Sequence, residues 1–380
     1  MTAKVQRILP SQDAADLIGL ATDIADRELA PRADEFEARS EFPREVLRTL
    51  GRSGFLGLPY PVEYGGGGVP YEVYVQVLEV LAQRWLCVAE SVYVHTLSCY
   101  GMVHHGSPEQ RERYLPDMLG GELIGATCLS EPQAGSDAAS VTTRAAREDD
   151  VYVVDGTKSW TTHGGVADFY TVYCRTGGPG ARGLSCLSVD AATPGVLPQR
   201  RENKMGVSSS PTAQMVFEGA RVPADRLIGR EGKGFLLAMN AFDVGRLSNA
   251  ACAVGLAQAA LDYAARYARS REQFGQPIIS FQGVGFMLAD MATQISAARA
   301  LVVSAARLRD HGRPHSVDAA KAKLFATDTA MRVTTDAVQV LGGYGYVKDH
   351  PVERWMREAK LLQIVEGTNQ IQRVVISGAL

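Results

Sequence analysis

Several features are scarce or missing from this chain, and each absence narrows what it can be. Six cysteines in 380 residues (Cys87, Cys99, Cys128, Cys174, Cys186 and Cys252) are scattered without CxxC spacing. In a chain of this size with no secretory leader, that argues against a disulfide framework. Seven histidines include the pair His104-His105, yet no HExxH and no acid–histidine cluster accompanies them, so no metal site is expected. His95 and His163 read as satisfied core or loop histidines. Basic residues do not exceed acidic ones, 39 against 42, and no block of like charge stands out, which removes nucleic acid as an expected partner. The first thirty residues carry acids through their apolar positions, unlike a secretory core or an Arg-rich transit peptide. No window reads as approaching the apolar length of a membrane span. No G-x-G-x-x-G is present, since Gly232-Lys233-Gly234 lacks the third glycine and a preceding βαβ unit. Repeats and low-complexity tails are missing too. A soluble, cytoplasmic protein is therefore expected.

What is present is ordinary in bulk, with 46% hydrophobic and 21% charged residues, and long enough for two or three cores. Residues 1–120 read as helical. Asp13 to Leu29 ends before Pro31, a helix runs from Phe42-Pro43 to Leu50, and others span Tyr71 to Ala82 and Val88 to Val103. Ser107-Pro108 is an N-cap followed by proline at the first position. The four glycines Gly65 to Gly68 make a loop, and nothing around them suits a phosphate. Residues 121–231 change character. Leu123–Leu129, Val151–Gly156 (ending in an Asp-Gly turn), Phe169–Cys174, Leu184–Val189, Met215–Glu218 and Arg221–Pro223 read as short strands of a small barrel or sandwich. Residues 232–380 return to long helices, Gly234 to Tyr267, Gln282 to Leu308 and Val317 to Leu341, then a terminal pair, which predicts an antiparallel bundle.

The terminal pair draws the eye. Trp355, Leu361, Leu362, Ile364 and Val365 recur at helical spacing until Glu366-Gly367-Thr368 interrupts them. Glycine permits a left-handed turn, and Thr368 or Asn369 can cap the next helix. By itself Glu366 reads as a capping or solvated acid. Apolar neighbours on both sides would nevertheless desolvate it and lift its pKa towards that of a general base.

The run from Arg357 to Arg373, R-E-A-K-L-L-Q-I-V-E-G-T-N-Q-I-Q-R, resembles the C-terminal signature of the acyl-CoA dehydrogenase family, in which the glutamate of E-G-T is the catalytic base. Leu129 to Asp137, L-S-E-P-Q-A-G-S-D, resembles a second signature of that family. The likeness spans essentially the whole chain, with five signatures in family order. It implies a helical N-terminal domain, a middle β-barrel or sandwich and a C-terminal four-helix bundle, so a mainly α fold with a central β domain. It implies FAD held by Thr127, Leu129 and Ser130, by Trp160 and Thr162 beside the flavin, and by Thr368 and Gln370. It also implies that Arg271, Gln273, Phe274, Phe281, Gln282, Gln339, Gly342 and Gly343 reach the FAD of another subunit in a homotetramer. Ser136, Asp243, Arg246, Gly367 and Tyr93 are implied at the acyl-CoA. Of these, the bland alternatives are a hairpin with a buried tryptophan for Trp160, a surface ion pair for Asp243 and Arg246, and packing between helices for Tyr93.

The implied reaction is α,β-dehydrogenation of an acyl-CoA to the trans-2-enoyl-CoA, Glu366 removing the α-proton and flavin N5 accepting the hydride. Electrons would pass to an electron-transfer flavoprotein. A minority of the family carries its base one residue before Arg246, but Gly245 stands there, which leaves Glu366. Departures from the family pattern are Gln133, His163 in place of asparagine, and Val365 in place of tyrosine. The helix around Ala89, Tyr93, Thr96 and Leu97 is expected to close the acyl pocket, and bulky Tyr93 points to short or short branched acyl groups. An acyl-carrier-protein thioester, a flavin oxidase or monooxygenase, and a non-catalytic flavoprotein stay open as alternatives at this stage.

Overall fold

The computed structural model describes residues 5–380. The first helices are α1 (Gln12–Ile24), α2 (Ala33–Arg39), α3 (Arg44–Arg52), α4 (Tyr71–Ala82), α5 (Leu86–His105) and α6 (Pro108–Leu119). Ser107 caps α6 with a full capping box, its hydroxyl on the Gln110 N–H and the Gln110 side chain on its own N–H. Helix α3 runs on through Gly51 where the sequence predicts a break. Gly51 lies against the Gly121 backbone, where a Cβ would stand 2.4 Å from Gly121 Cα, so that glycine serves a close approach. The helix predicted over Asp13 to Leu29 finishes in a π-helical turn, Ala25–Leu29.

The β region comprises β1 (Gly125–Cys128), β2 (Arg144–Glu148), β3 (Val151–Thr162), β4 (Phe169–Arg175), β5 (Leu184–Asp190), β6 (Val196–Arg201), β7 (Thr212–Pro223) and β8 (Leu227–Ile228). Among the described residues these make one eight-stranded sheet in the order β6-β7-β3-β2-β4-β5-β8, with β1 alongside β4. Asp155-Gly156 does not end a strand as its sequence predicts. Strand β3 continues through it to Thr162, and its register against β7 slips between Val154 and Gly156 and again between Lys158 and Thr161. Both slips are β-bulges, which re-aim the side chains that follow. Strands β2 and β6 escape the sequence reading because they are charged and mostly exposed.

The last region is built from α7 (Gly234–Ser270), α8 (Gln282–Asp310), α9 (Ser316–Leu341), α10 (Val352–Leu362) and α11 (Asn369–Ser377). Alanines keep α7 thin enough for close packing, and its residues from Val244 to Ala260 are all buried. One continuous core joins α4 and α5 to α7, α8 and α9. The expectation that no window approaches a membrane span is corrected by α8. Among the described residues it is the one helix long and apolar enough to cross a membrane, by length and composition alone. Alanine, valine and leucine raise its hydropathy all round the helix, while only one stripe, including Met291, Ile295, Ala298 and Val302, enters the core.

Candidate active site

Helix α10 stops at Leu362, and the Thr368 hydroxyl caps α11 by accepting from the Ile371 N–H at 3.3 Å. Between them Glu366 and Gly367 are both left-handed, with φ of +57° and +82°. Glycine bears this freely, whereas glutamate does so only when its surroundings impose it. The surroundings come from α9. Lys323 donates to the Gly367 carbonyl at 2.9 Å and to Asn369 Oδ1 at 2.8 Å. Asn369 in turn donates to Thr327 Oγ1 at 2.9 Å and Asp328 Oδ1 at 2.7 Å, and Gln372 donates to the Gly367 carbonyl at 2.8 Å. The turn is therefore clamped from one side by a fully buried lysine.

The Glu366 carboxylate faces α7. A Cβ at Gly245 would stand 2.3 Å from Glu366 Oε2 and 3.0 Å from Leu97 Cδ1, so glycine makes the room that the carboxylate occupies. Glu366 is half-buried as a residue, but Oε2 is enclosed and has no hydrogen-bond partner among the described residues. Burial pushes its pKa up to about 7; Lys323 and Arg246 pull against that and Glu90 adds to it. Burial likewise brings Lys323 down to about 7, with Glu366 opposing. A carboxyl group poised near neutrality on a fixed turn is equipped for proton abstraction.

Arg246 and Asp243 are not a surface pair. Both are largely buried, Arg246 donating to Asp243 Oδ1 at 2.6 Å, while Ser316 at the start of α9 donates to the same oxygen at 2.8 Å. Tyr93 is buried on the face of α5 that meets α7, beside Asn249. Ala89 and Leu97 share this helix, but the Thr96 hydroxyl is engaged in the core, accepting from Tyr74 at 2.9 Å and donating to the Val92 carbonyl at 2.9 Å.

A second set of residues gathers on the sheet. Thr127 in β1 has a buried Oγ1 without a partner, Leu129 is buried, and the Ser130 carbonyl accepts from the Ser159 N–H at 2.8 Å. The bulge of β3 between Lys158 and Thr161 puts Trp160 in a left-handed conformation (φ +60°) and leaves it 66% exposed, which corrects the reading of a buried tryptophan. Thr162 is half-buried two residues on. The exposed Ser136 rides a loop that Glu131 holds. That carboxylate accepts from Lys158 at 2.8 Å, from the Thr142 and Thr143 N–H groups at 2.6 and 2.8 Å, and from the Gln133 amide at 2.6 Å. Burial alone would raise its pKa, but Lys158 and these donors hold it down to about 2. His163, where asparagine is the family pattern, is buried with Nδ1 3.0 Å from the Gly125 carbonyl, and His95 Nδ1 accepts from the Gly125 N–H at 2.9 Å. Burial brings both rings down to about 4, so both are neutral braces of β1.

A third set lines a cleft of about 630 Å³ formed by Tyr267, Arg271, Gln273, Gln339, Gly342, Gly343 and Tyr344 among others. The Arg271 guanidinium lies 5.7 Å from the Tyr344 ring centre. Phe274, 93% exposed, meets Phe281 edge to face at 6.0 Å, and Gln282 opens α8. Gln370 is exposed on the first turn of α11. The structure thus brings Glu366, Gly367, Arg246, Asp243 and Tyr93 around one position, and the Trp160 and Arg271 sets around two others. The latter two fit FAD. An exposed indole beside an orphaned threonine hydroxyl suits a heteroaromatic ring, and a cleft with a guanidinium and two side-chain-free residues suits a pyrophosphate and a flat base.

Sequence reasoning missed Lys323, Glu90, Asn249 and the Glu131–Lys158 brace. For Lys323 a signal existed, a single cation in the alanine stripe of Ala319, Ala322, Ala326 and Ala330, all buried.

Comparison with known proteins bears on the whole chain. Models for the acyl-CoA dehydrogenase N-terminal, middle and C-terminal domains match residues 11–122, 126–220 and 232–380. A relative from Clostridium acetobutylicum, "Acyl-CoA dehydrogenase, short-chain specific", is 41% identical, over 95% of this chain and 96% of that one. The solved structure of butyryl-CoA dehydrogenase from Megasphaera elsdenii superposes with a TM-score of 0.96 at 40% identity, covering 98% of this chain and 99% of the other. A chain of "Electron transferring flavoprotein of Acidaminococcus fermentans: Towards a mechanism of flavin-based electron bifurcation" does so with a TM-score of 0.96 at 41% identity, covering 98% and 99%.

Proposed function

This chain belongs to the acyl-CoA dehydrogenase family, and from that premise we propose that it dehydrogenates short or short branched acyl-CoA thioesters with Glu366 as the base. As a family member it is an FAD-dependent oxidoreductase acting on acyl-CoA. What supports Glu366 is one observation: an enclosed, unpartnered carboxylate with its pKa raised to about 7, on a turn that Lys323 and Gln372 fix.

Residues of the Trp160 and Arg271 sets would hold FAD, which when bound supplies the acceptor for the substrate's β-hydride. The chain's own residues do the rest. Glu366 removes the α-proton, and the left-handed turn presents its backbone N–H, which has no acceptor among the described residues, to the thioester oxygen. Arg246, buried behind the site, favours the ionised carboxylate. Tyr93 and the α5–α7 contact limit the space beyond the reacting carbons. The short-chain reading is supported by the Clostridium and Megasphaera relatives. An electron-transfer flavoprotein is the proposed acceptor, supported by the Acidaminococcus match. The Arg271 cleft is lined by none of the Trp160 set, which supports a homo-oligomer in which subunits share FAD, and we infer a cytoplasmic tetramer.

The test is anaerobic addition of a panel of acyl-CoAs to the FAD-loaded protein while the flavin absorbance is followed. Prompt bleaching strongest with four- to six-carbon thioesters is the expected result. No bleaching by any of them overturns the reading.

A further inference from the structure

Among the described residues, four buried polar atoms on or beside α5 and α7 make no hydrogen bond of ordinary geometry: Glu366 Oε2, Glu90 Oε2, and both Oδ1 and Nδ2 of Asn249. Glu90 is 3% exposed and Asn249 is fully buried. On α7, Gly245 and Asn249 lie one turn apart on a single face; on α5, Glu90, Tyr93 and Leu97 do the same. Gly245 and Leu97 both border the Glu366 carboxylate. Tyr93 borders Asn249, and Glu90 acts electrostatically on Cys252, so the two faces run antiparallel and carry matched levels away from the base. At about 1.5 Å per residue, Asn249 lies about 6 Å and Glu90 about 10 Å along the helices from the level of Gly245 and Leu97.

The far end of this face is therefore polar, whereas an alkyl tail demands an apolar one. Every unmatched buried amide or carboxyl costs folding free energy, and a ligand that satisfies it gains by the same interaction. The Ser210 hydroxyl beside Glu90 is directed at that carboxyl and favours its ionised form, as Asn249 does for Tyr93, so both polar groups have a neighbour that a ligand would have to outbid. Lys204 is also nearby but is occupied, donating to Thr212 Oγ1 at 3.0 Å.

Building on the dehydrogenase reading, we propose that Glu90 and Asn249 are specificity residues that select short acyl-CoAs ending in a neutral hydrogen-bonding group, a hydroxyl or carboxamide, over the isosteric alkyl thioesters. The Asn249 amide both donates and accepts, which matches a hydroxyl or carboxamide, and Glu90 supplies a second partner deeper in. Neither residue touches the reacting carbons.

The experiment compares ω-hydroxybutanoyl-CoA with pentanoyl-CoA, and ω-hydroxypentanoyl-CoA with hexanoyl-CoA, by flavin reduction in the FAD-loaded protein. The corresponding α,β-unsaturated thioesters are titrated calorimetrically as a readout independent of turnover. The wild type is expected to favour the hydroxylated member of at least one pair by about tenfold in kcat/KM and in affinity. Glu90→Leu and Asn249→Val are each expected to erase or invert that preference while FAD content is unchanged; Glu90→Gln, which keeps the shape and a hydrogen-bonding group, retains most of it. Bleaching that favours the alkyl members, with ratios untouched by Glu90→Leu and Asn249→Val, overturns this inference and leaves the dehydrogenase reading intact. Failure of every thioester to bleach the flavin overturns that reading instead, and the titrations then decide this one on affinity alone.

Discussion

Two glutamates with enclosed carboxylate oxygens, Glu131 and Glu366, are treated in opposite ways. Glu131 is met by Lys158, by two backbone N–H groups and by Gln133, and its pKa falls to about 2. Glu366 is half-buried as a residue, yet its enclosed Oε2 has no partner among the described residues, and its pKa climbs to about 7. Burial raises both; the donors decide. The satisfied acid is a permanent anion that ties a loop to a strand. The starved acid can take up and release a proton near neutrality. Their linkage to folding has opposite sign as well. Glu131 adds stability above its ordinary value of 4.5, lost as pH falls towards 2. Glu366 subtracts stability as pH rises from 4.5 towards 7, because the unfolded chain ionises first.

The contrast is easiest to break at the base. Glu366→Gln should slow flavin reduction by roughly a thousandfold to ten-thousandfold, the usual contribution of a general base, with FAD content preserved. Stopped-flow reduction measures it, and near-normal rates would refute the assignment. Lys158→Met should cost about 3 kcal/mol of stability by orphaning Glu131, read from the urea midpoint. Replacing both, Glu131→Leu with Lys158→Met, should recover much of that loss. Gly245→Ala places a methyl on Glu366 Oε2 and should cost about a hundredfold in reduction rate by displacing the carboxylate, with little change in thermal midpoint. Lys323→Met sharpens the comparison most gently. In the wild type, reduction should rise with pH through an inflexion near 7. Without the nearby ammonium the carboxylate ionises less readily, so the inflexion should move to higher pH, costing about tenfold at neutrality. An unmoved inflexion would confine Lys323 to holding the turn.

Most of the fold was legible because its helices announce themselves. The predicted start of α4 at Tyr71 and its end at Ala82 coincide with the structure, and the bundle helices differ only at their ends. Glu366 drew notice through the resemblance of its E-G-T run to a family signature; the apolar run on one side and the glycine on the other, read alone, left it a capping or solvated acid. What stayed hidden depends on partners far along the chain. Lys323 holds a residue forty-four positions away, and Glu90 and Asn249 both neighbour Tyr93 from two helices whose apolar periodicity conceals them. The run of β3 through Asp155-Gly156 escaped because Asp-Gly signals a turn equally well, and only pairing with β7 shows the strand carrying on. The apolar character of α8 was underestimated because its alanines and valines are spread around the helix rather than gathered in one run.

The bulge that turns Trp160 outward has an optical consequence. The chain has three tryptophans; Trp85 is 1% exposed, with its indole N–H on Glu37, and Trp355 is half-buried. Aqueous quenchers therefore reach Trp160 far more readily than the other two, and its emission should be red-shifted relative to theirs. A flavin docked against that indole would shield it from the quencher and drain its fluorescence, so cofactor loading can be followed by emission from the unlabelled protein.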